Sequence, residues 1–120
     1  MWQGVIIEES LRDQSLLEEV SVVATKVSRL ENENRVLTFD SIEVPDKFQK
    51  EYVNTVEKSI KDSFYAHLCK DGTMTVIFHD KVFTFTKDSR RLGEAREYGK
   101  SIGILPEQMP FEHLIDNPFD

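Results

Sequence analysis

The stretch Ser63–Lys87, SFYAHLCKDGTMTVIFHDKVFTFTK, constrains this chain more than any other. Successive side chains of a strand point to opposite faces, so alternating apolar residues mark a strand with one buried side. Phe64, Ala66 and Leu68 alternate, then Met74, Val76 and Phe78, then Phe83 and Phe85. Two turn signals separate the runs. Lys70-Asp71-Gly72 suits a three-residue loop with Gly in the left-handed position, setting Cys69 opposite Thr73 and Phe64 opposite Phe78. Asp80-Lys81 suits a two-residue loop, setting His79 opposite Val82 and Phe78 opposite Phe83. Both registers gather the apolar sets onto one face, and a one-residue slip in either scatters them. The expectation is a three-stranded meander with a phenylalanine face. Its other face, with Tyr65, His67, Cys69, Thr75, Ile77, Thr84 and Thr86, is semi-polar.

Before the meander, Trp2–Ile7 reads as a short β-branched strand, and Ser15-Leu-Leu-Glu18 matches a helix capping box. Two β-rich runs, Val20–Leu30 and Arg35–Val44, flank the polar loop Glu31–Asn34, a hairpin signature. Pairing Leu30 with Val36 puts Val27 beside Phe39 and Lys26 beside Asp40. Both faces of that hairpin carry apolar groups. Pro45-Asp46 then opens a helix whose stripe is Phe48, Tyr52, Val53, Val56 and Ile60, with the acid-first pairs Asp46/Lys50 and Glu57/Lys61 on its wet side.

After the meander, Asp88-Ser89 caps a second helix with the stripe Leu92, Ala95, Tyr98/Gly99 and Ile102, closed by Gly103 in the left-handed conformation. Gly99 inside a helix costs about 1 kcal/mol against Ala, so close packing on the sheet is expected there. The tail is broken by Pro106 and Pro110; Phe111, Leu114, Ile115 and Phe119 suggest that it docks, with one helical turn after Pro110.

At 120 residues the chain is expected to be one domain, 1–120, and 39% hydrophobic with 31% charged residues is an ordinary globular balance. No apolar run approaches the roughly 20 residues that span a bilayer, and no basic leader precedes an apolar segment. The single cysteine excludes an intrachain disulfide and suits a reducing, cytoplasmic setting. The net charge of −7 is concentrated at the two ends, and the one compact basic cluster, Arg90-Arg91 with Arg96 and Lys100, is interleaved with Glu94 and Glu97. Binding to nucleic acid or to an anionic membrane is therefore not expected.

No phosphate-binding loop, dinucleotide fingerprint or metal-ligand spacing is present, so no cofactor, metal or catalytic set is assigned. The one constellation with chemical content is Tyr65, His67 and Cys69, spaced by two on one strand. His67 and Cys69 then have Cβ atoms roughly 7 Å apart, long for a thiol–imidazole pair, and no third group orients them. Glu8-Glu9 at the first strand's end face opposite sides, make no dyad by themselves and read as a solvated strand end.

The expected fold is α+β: a mainly antiparallel sheet of five to six strands, order β-β-β-α-β-β-β-α, with both helices covering the phenylalanine face. Two functional classes follow. One is a non-catalytic binding or assembly module acting through the semi-polar face; the other is a small enzyme or ligand-binding domain with a pocket walled by Tyr65, His67 and Cys69. A homodimer is expected, because two helices cover about one face of such a sheet and leave apolar groups on the other. The competing cover for that face is the chain's own tail, Ile104–Phe119.

Overall fold

Backbone pairing joins the strands into one antiparallel sheet of order β2-β3-β1-β4-β5-β6. The strands are β1 (Trp2–Ile7), β2 (Ser21–Leu30), β3 (Arg35–Val44), β4 (Ala66–Lys70), β5 (Thr73–Phe78) and β6 (Lys81–Thr86). Helix α1 (Asp46–Ser59) links the N-terminal three strands to the meander; α2 (Arg90–Ser101) and α3 (Phe111–Asp116) follow it. The computed structural model describes residues 1–30 and 35–120, so the loop expected at Glu31–Asn34 lies outside the described residues. The α+β class and the antiparallel sheet are as the sequence indicates.

The meander's first register is not. Asp71 and Gly72, at φ 49° and 81°, make a two-residue turn, so Lys70 faces Thr73, Cys69 faces Met74 and Ala66 faces Ile77. Both turn residues carry the positive φ that a two-residue hairpin favours. Relative to the expected three-residue loop this is a slip of one, and it turns β4 over: Tyr65, His67 and Cys69 join the phenylalanine face. The second turn also moves. His79 and Asp80 form it, pairing Phe78 with Lys81 and Val76 with Phe83; this shift of two keeps Phe78, Phe83 and Phe85 together. In the N-terminal hairpin Leu30 pairs with Arg35 and Lys26 with Phe39, one residue from the expected register, and a bulge lies between Val22 and Ala24.

Because β4 and β5 are buried on both sides, the helices divide between the faces rather than sharing one. Tyr52, Val53, Val56 and Ile60 of α1 and its C-cap pack on Ile6, Ile42, Val44, Ala66, Leu68 and Ile77. Phe48, expected in that stripe, is exposed, with the Lys47 ammonium over its ring. Asp46 pairs with Lys70 and the N-terminal amine instead of Lys50. On the opposite face α2 and the tail cover Met74, Val76, Phe78, Phe83 and Phe85. Ser89 caps α2 by accepting the Arg91 N–H at 3.1 Å, and Gly103 closes it at φ 97°, both as expected. The expected capping box is displaced: Asp13, not Ser15, caps the 3₁₀ turn Gln14–Glu19.

Two glycines give opposite predictions. At Gly4, where β1 meets β4, an added Cβ would lie 1.7 Å from the His67 carbonyl oxygen, a backbone atom that cannot step aside. Gly93, exposed on α2, has nothing within 4 Å of such a Cβ. Gly4→Ala is expected to destabilise by about 3 kcal/mol, the upper range for overpacking. Gly93→Ala is expected to stabilise by about 1 kcal/mol through helix propensity. Urea denaturation of both variants checks the pair, and a Gly4→Ala protein as stable as wild type contradicts the β1–β4 junction.

Candidate functional site

Beyond α2 the chain doubles back over the sheet in irregular steps: a 3₁₀ turn at Pro106–Gln108, the buried Met109, and the short helix α3. Met109 fits because residue 99 is glycine; a Cβ there would sit 2.3 Å from the methionine sulfur. The close packing expected at Gly99 is therefore against the tail. Arg96 on α2 ties the segment down, donating to the Met109 carbonyl at 3.1 Å and to Glu112 at 2.5 Å. Phe111 is fully buried, edge-on to Tyr65 at 5.6 Å between ring centroids.

An irregular segment laid on a sheet carries carbonyls without ladder partners, and buried ones need donors. β4 and the residue before it supply them at two-residue spacing. The Tyr65 hydroxyl donates to the Gln108 carbonyl at 2.6 Å, His67 Nε2–H to Pro118 at 2.7 Å, and the Cys69 thiol to Leu114, in the last turn of α3, at 3.6 Å. The structure thus brings the three sequence-predicted residues onto one task, holding the tail. Their chemistry suits that task. Burial pushes the Cys69 thiol up to about 12, so it stays protonated and a donor. Burial also pushes His67 down to about 4, so its ring is neutral at physiological pH, with the Nε2–H tautomer fixed by the carbonyl it serves. Tyr65 is likewise held above the usual tyrosine range by burial. A thiolate nucleophile has no support here.

The tail covers only half of this face. Between it and the β1–β3 half lies a cleft of about 450 Å³. Its floor is Val5, Ile7, Leu37 and Phe39, side chains at alternate positions on β1 and β3. Tyr65 and His67 line one side, with Ile104, Gln108, Pro110 and Leu114 of the tail above them; Cys69 lies outside. The charged lining residues are Glu107 and Asp120. The sequence signalled this floor only as apolar groups on both faces of the hairpin. The comparisons add no identity. The chain matches no family model, no curated protein and no solved structure.

A second polar cluster sits on the α1 side of the sheet, at the end of β1. Glu8 and Glu9 part company in a 3₁₀ turn rather than remaining a solvated strand end. Glu9 accepts the Thr38 N–H at 2.7 Å and its hydroxyl at 2.8 Å, which hold its carboxyl below the usual range against the opposing effect of burial. Asp40 is 1% exposed and accepts the Thr25 hydroxyl at 2.7 Å. Glu8 shares a proton with Asp40; this hydrogen bond, then burial and the neighbouring carboxylates, raises Glu8 to about 7. Among the described residues no group of His, Cys, Asp and Glu is placed to hold a metal ion.

The raised Glu8 pKa fixes the sign of a pH effect. Between its unfolded value of 4.5 and about 7 the folded chain holds a proton that the unfolded chain has lost. Stability from this group is therefore present at low pH and declines as pH rises through that window. Glu8→Gln, with an amide that donates to Asp40 at every pH, should match wild type near pH 5 and exceed it by pH 8. Thermal melts across that range check this; a stability difference independent of pH contradicts the shared proton.

Proposed function

We propose that this chain is a cytoplasmic, non-catalytic binding and assembly module. Its recognition site is the cleft between the tail and the β1–β3 half of the sheet. The observation that carries this reading is the division of labour on that face. The polar groups able to do chemistry, Tyr65, His67 and Cys69, are engaged with tail carbonyls, while among the described residues no helix lies over the apolar floor of Val5, Ile7, Leu37 and Phe39. A volume of about 450 Å³ lies within the size of sites that bind compact ligands. The occupant we favour is a segment of another polypeptide, because Leu37 and Phe39 line the floor at alternate positions of one strand, a spacing that alternate side chains of an extended segment match.

Charge narrows the occupant. Glu107 and Asp120 are the ionised groups on the lining, and neutral His67 adds no positive charge. Asp120 is already paired with His113 at 2.8 Å, which leaves Glu107 as the carboxylate of the lining without a partner among the described residues. A segment with two or three apolar side chains and one basic group complements this lining; phosphate or an acidic peptide is repelled by it. The free, buried thiol of Cys69 suits a reducing compartment.

The test is a nitrogen–proton correlation titration with two short peptides, one carrying leucines and an arginine, the other the same leucines and a glutamate. The first should shift Val5, Ile7, Leu37 and Phe39 saturably at millimolar concentration, and Ile7→Asp should abolish the shifts. The second should bind more weakly. No saturable shift at the floor, or equal response to both peptides, contradicts the proposal.

A further inference from the structure

The two edges of the sheet are built differently. β6 is six residues long, begins with Lys81 and exposes Thr84 and Thr86, and cations of Lys81 and Arg91 lie over the Phe83 ring at 5.4 and 4.8 Å. Short length and charge are the usual means of keeping an edge strand from pairing. β2 has ten residues, and Ser21 to Val27 are exposed throughout. It is blunted by the bulge between Val22 and Ala24 and by Lys26, but every other residue from Ser21 to Val27 is uncharged. Val22, Val23 and Val27 stand exposed at 41%, 48% and 62%, with Val36 of β3 beside them at 45%. Register places Thr25 and Val27 opposite Asp40 and Thr38, on the α1 side of the sheet, and Val22 opposite Ile42 on that same side, with Val23 the extra, exposed residue of the bulge between Val22 and Ala24.

We propose that β2 pairs with β2 of a second copy, antiparallel about a twofold axis at Thr25, extending the sheet across the dimer. The strand's own sequence favours a copy of itself. A twofold axis normal to the sheet pairs each residue with a partner at even sequence sum, so the axis must pass through a residue. Centred on Lys26, two ammonium groups would stand directly opposite each other, which is destabilising. Centred on Thr25, Val23 meets the partner's Val27, Ala24 meets the partner's Lys26, and no like charges are opposed. The half-exposed valines of each copy then become cross-strand neighbours, flanked by Val22 and Val36. Ser21–Leu30 contains no acidic residue, so the mutual repulsion of two chains of charge −7 is eased along this strand. One surface serves both partners, as a twofold contact requires. This interface replaces, as the seat of the expected dimer, the semi-polar meander face, whose Tyr65 lies under the tail and whose Ile77 packs with α1.

Light scattering from one to a few hundred micromolar should give twice 13.9 kDa for wild type at the upper end. Val23→Lys with Val27→Lys should give 13.9 kDa at every concentration, with an unchanged circular dichroism spectrum. A second experiment tests the register. Residues 23 and 27 of one strand are about 13 Å apart and cannot form a disulfide within a chain. The double variant Val23→Cys with Val27→Cys should cross-link to a dimer under mild oxidation, while either single variant stays uncross-linked. A wild-type monomer at the highest concentration, a dimer indifferent to the lysines, or single variants that cross-link as fast as the double one would each overturn the proposal.

Discussion

The two-residue turn at Asp71 and Gly72 holds β4 on β5 with Lys70 opposite Thr73. In a sheet buried on both sides, that register decides which side chains meet which layer, because the side-chain period is two. It sends Ala66 and Leu68 to α1, and Tyr65, His67 and Cys69 to the face where the tail lies. The tail needs those donors. Its 3₁₀ turn and short helix leave carbonyls that no ladder satisfies, and a leucine or valine strand beneath them would bury those carbonyls unpaired, at roughly 1–3 kcal/mol each. The polar residues of β4 are thus structural in origin, and the cleft beside them is bounded by what they hold.

Much of this fold was legible in residues that act locally. Trp2–Ile7 is a strand with the expected bounds, Ser89 caps α2, Gly103 ends it, and Pro110 precedes the helical turn carrying Phe111, Leu114 and Ile115. Each of these is set by a few neighbouring side chains. The registers were not legible, for a physical reason. A two-residue turn and a three-residue loop both place Gly72 at positive φ, so the glycine does not choose between them. The alternation of Phe64, Ala66 and Leu68 assigns a buried side only if the strand has a wet one, and β4 has none. Helix placement followed the register into error, since both helices were assigned to the one face thought dry.

The candidate site was half visible. Tyr65, His67 and Cys69 are neighbours in sequence, and their shared face could be read from spacing alone. Their partners, the carbonyls of Gln108, Leu114 and Pro118, lie some forty to fifty residues away and carry no side-chain signature. The cleft floor joins β1 to β3, strands separated by the whole of β2, so nothing local announces it. Glu8 illustrates the same limit: beside Glu9 it reads as a wet strand end, and only the pairing of Ile6 with Asp40 brings the buried carboxyl to it.

The strap of donors under the tail is tested most directly at the His67 ring by nitrogen NMR between pH 3 and 8. The account predicts a neutral imidazole in the Nε2–H form at neutral pH that titrates near 4, with the amides of Asn117 and Phe119 shifting at the same midpoint. A midpoint near 6.5, the value of an unperturbed histidine, with no response from those two amides, would contradict it.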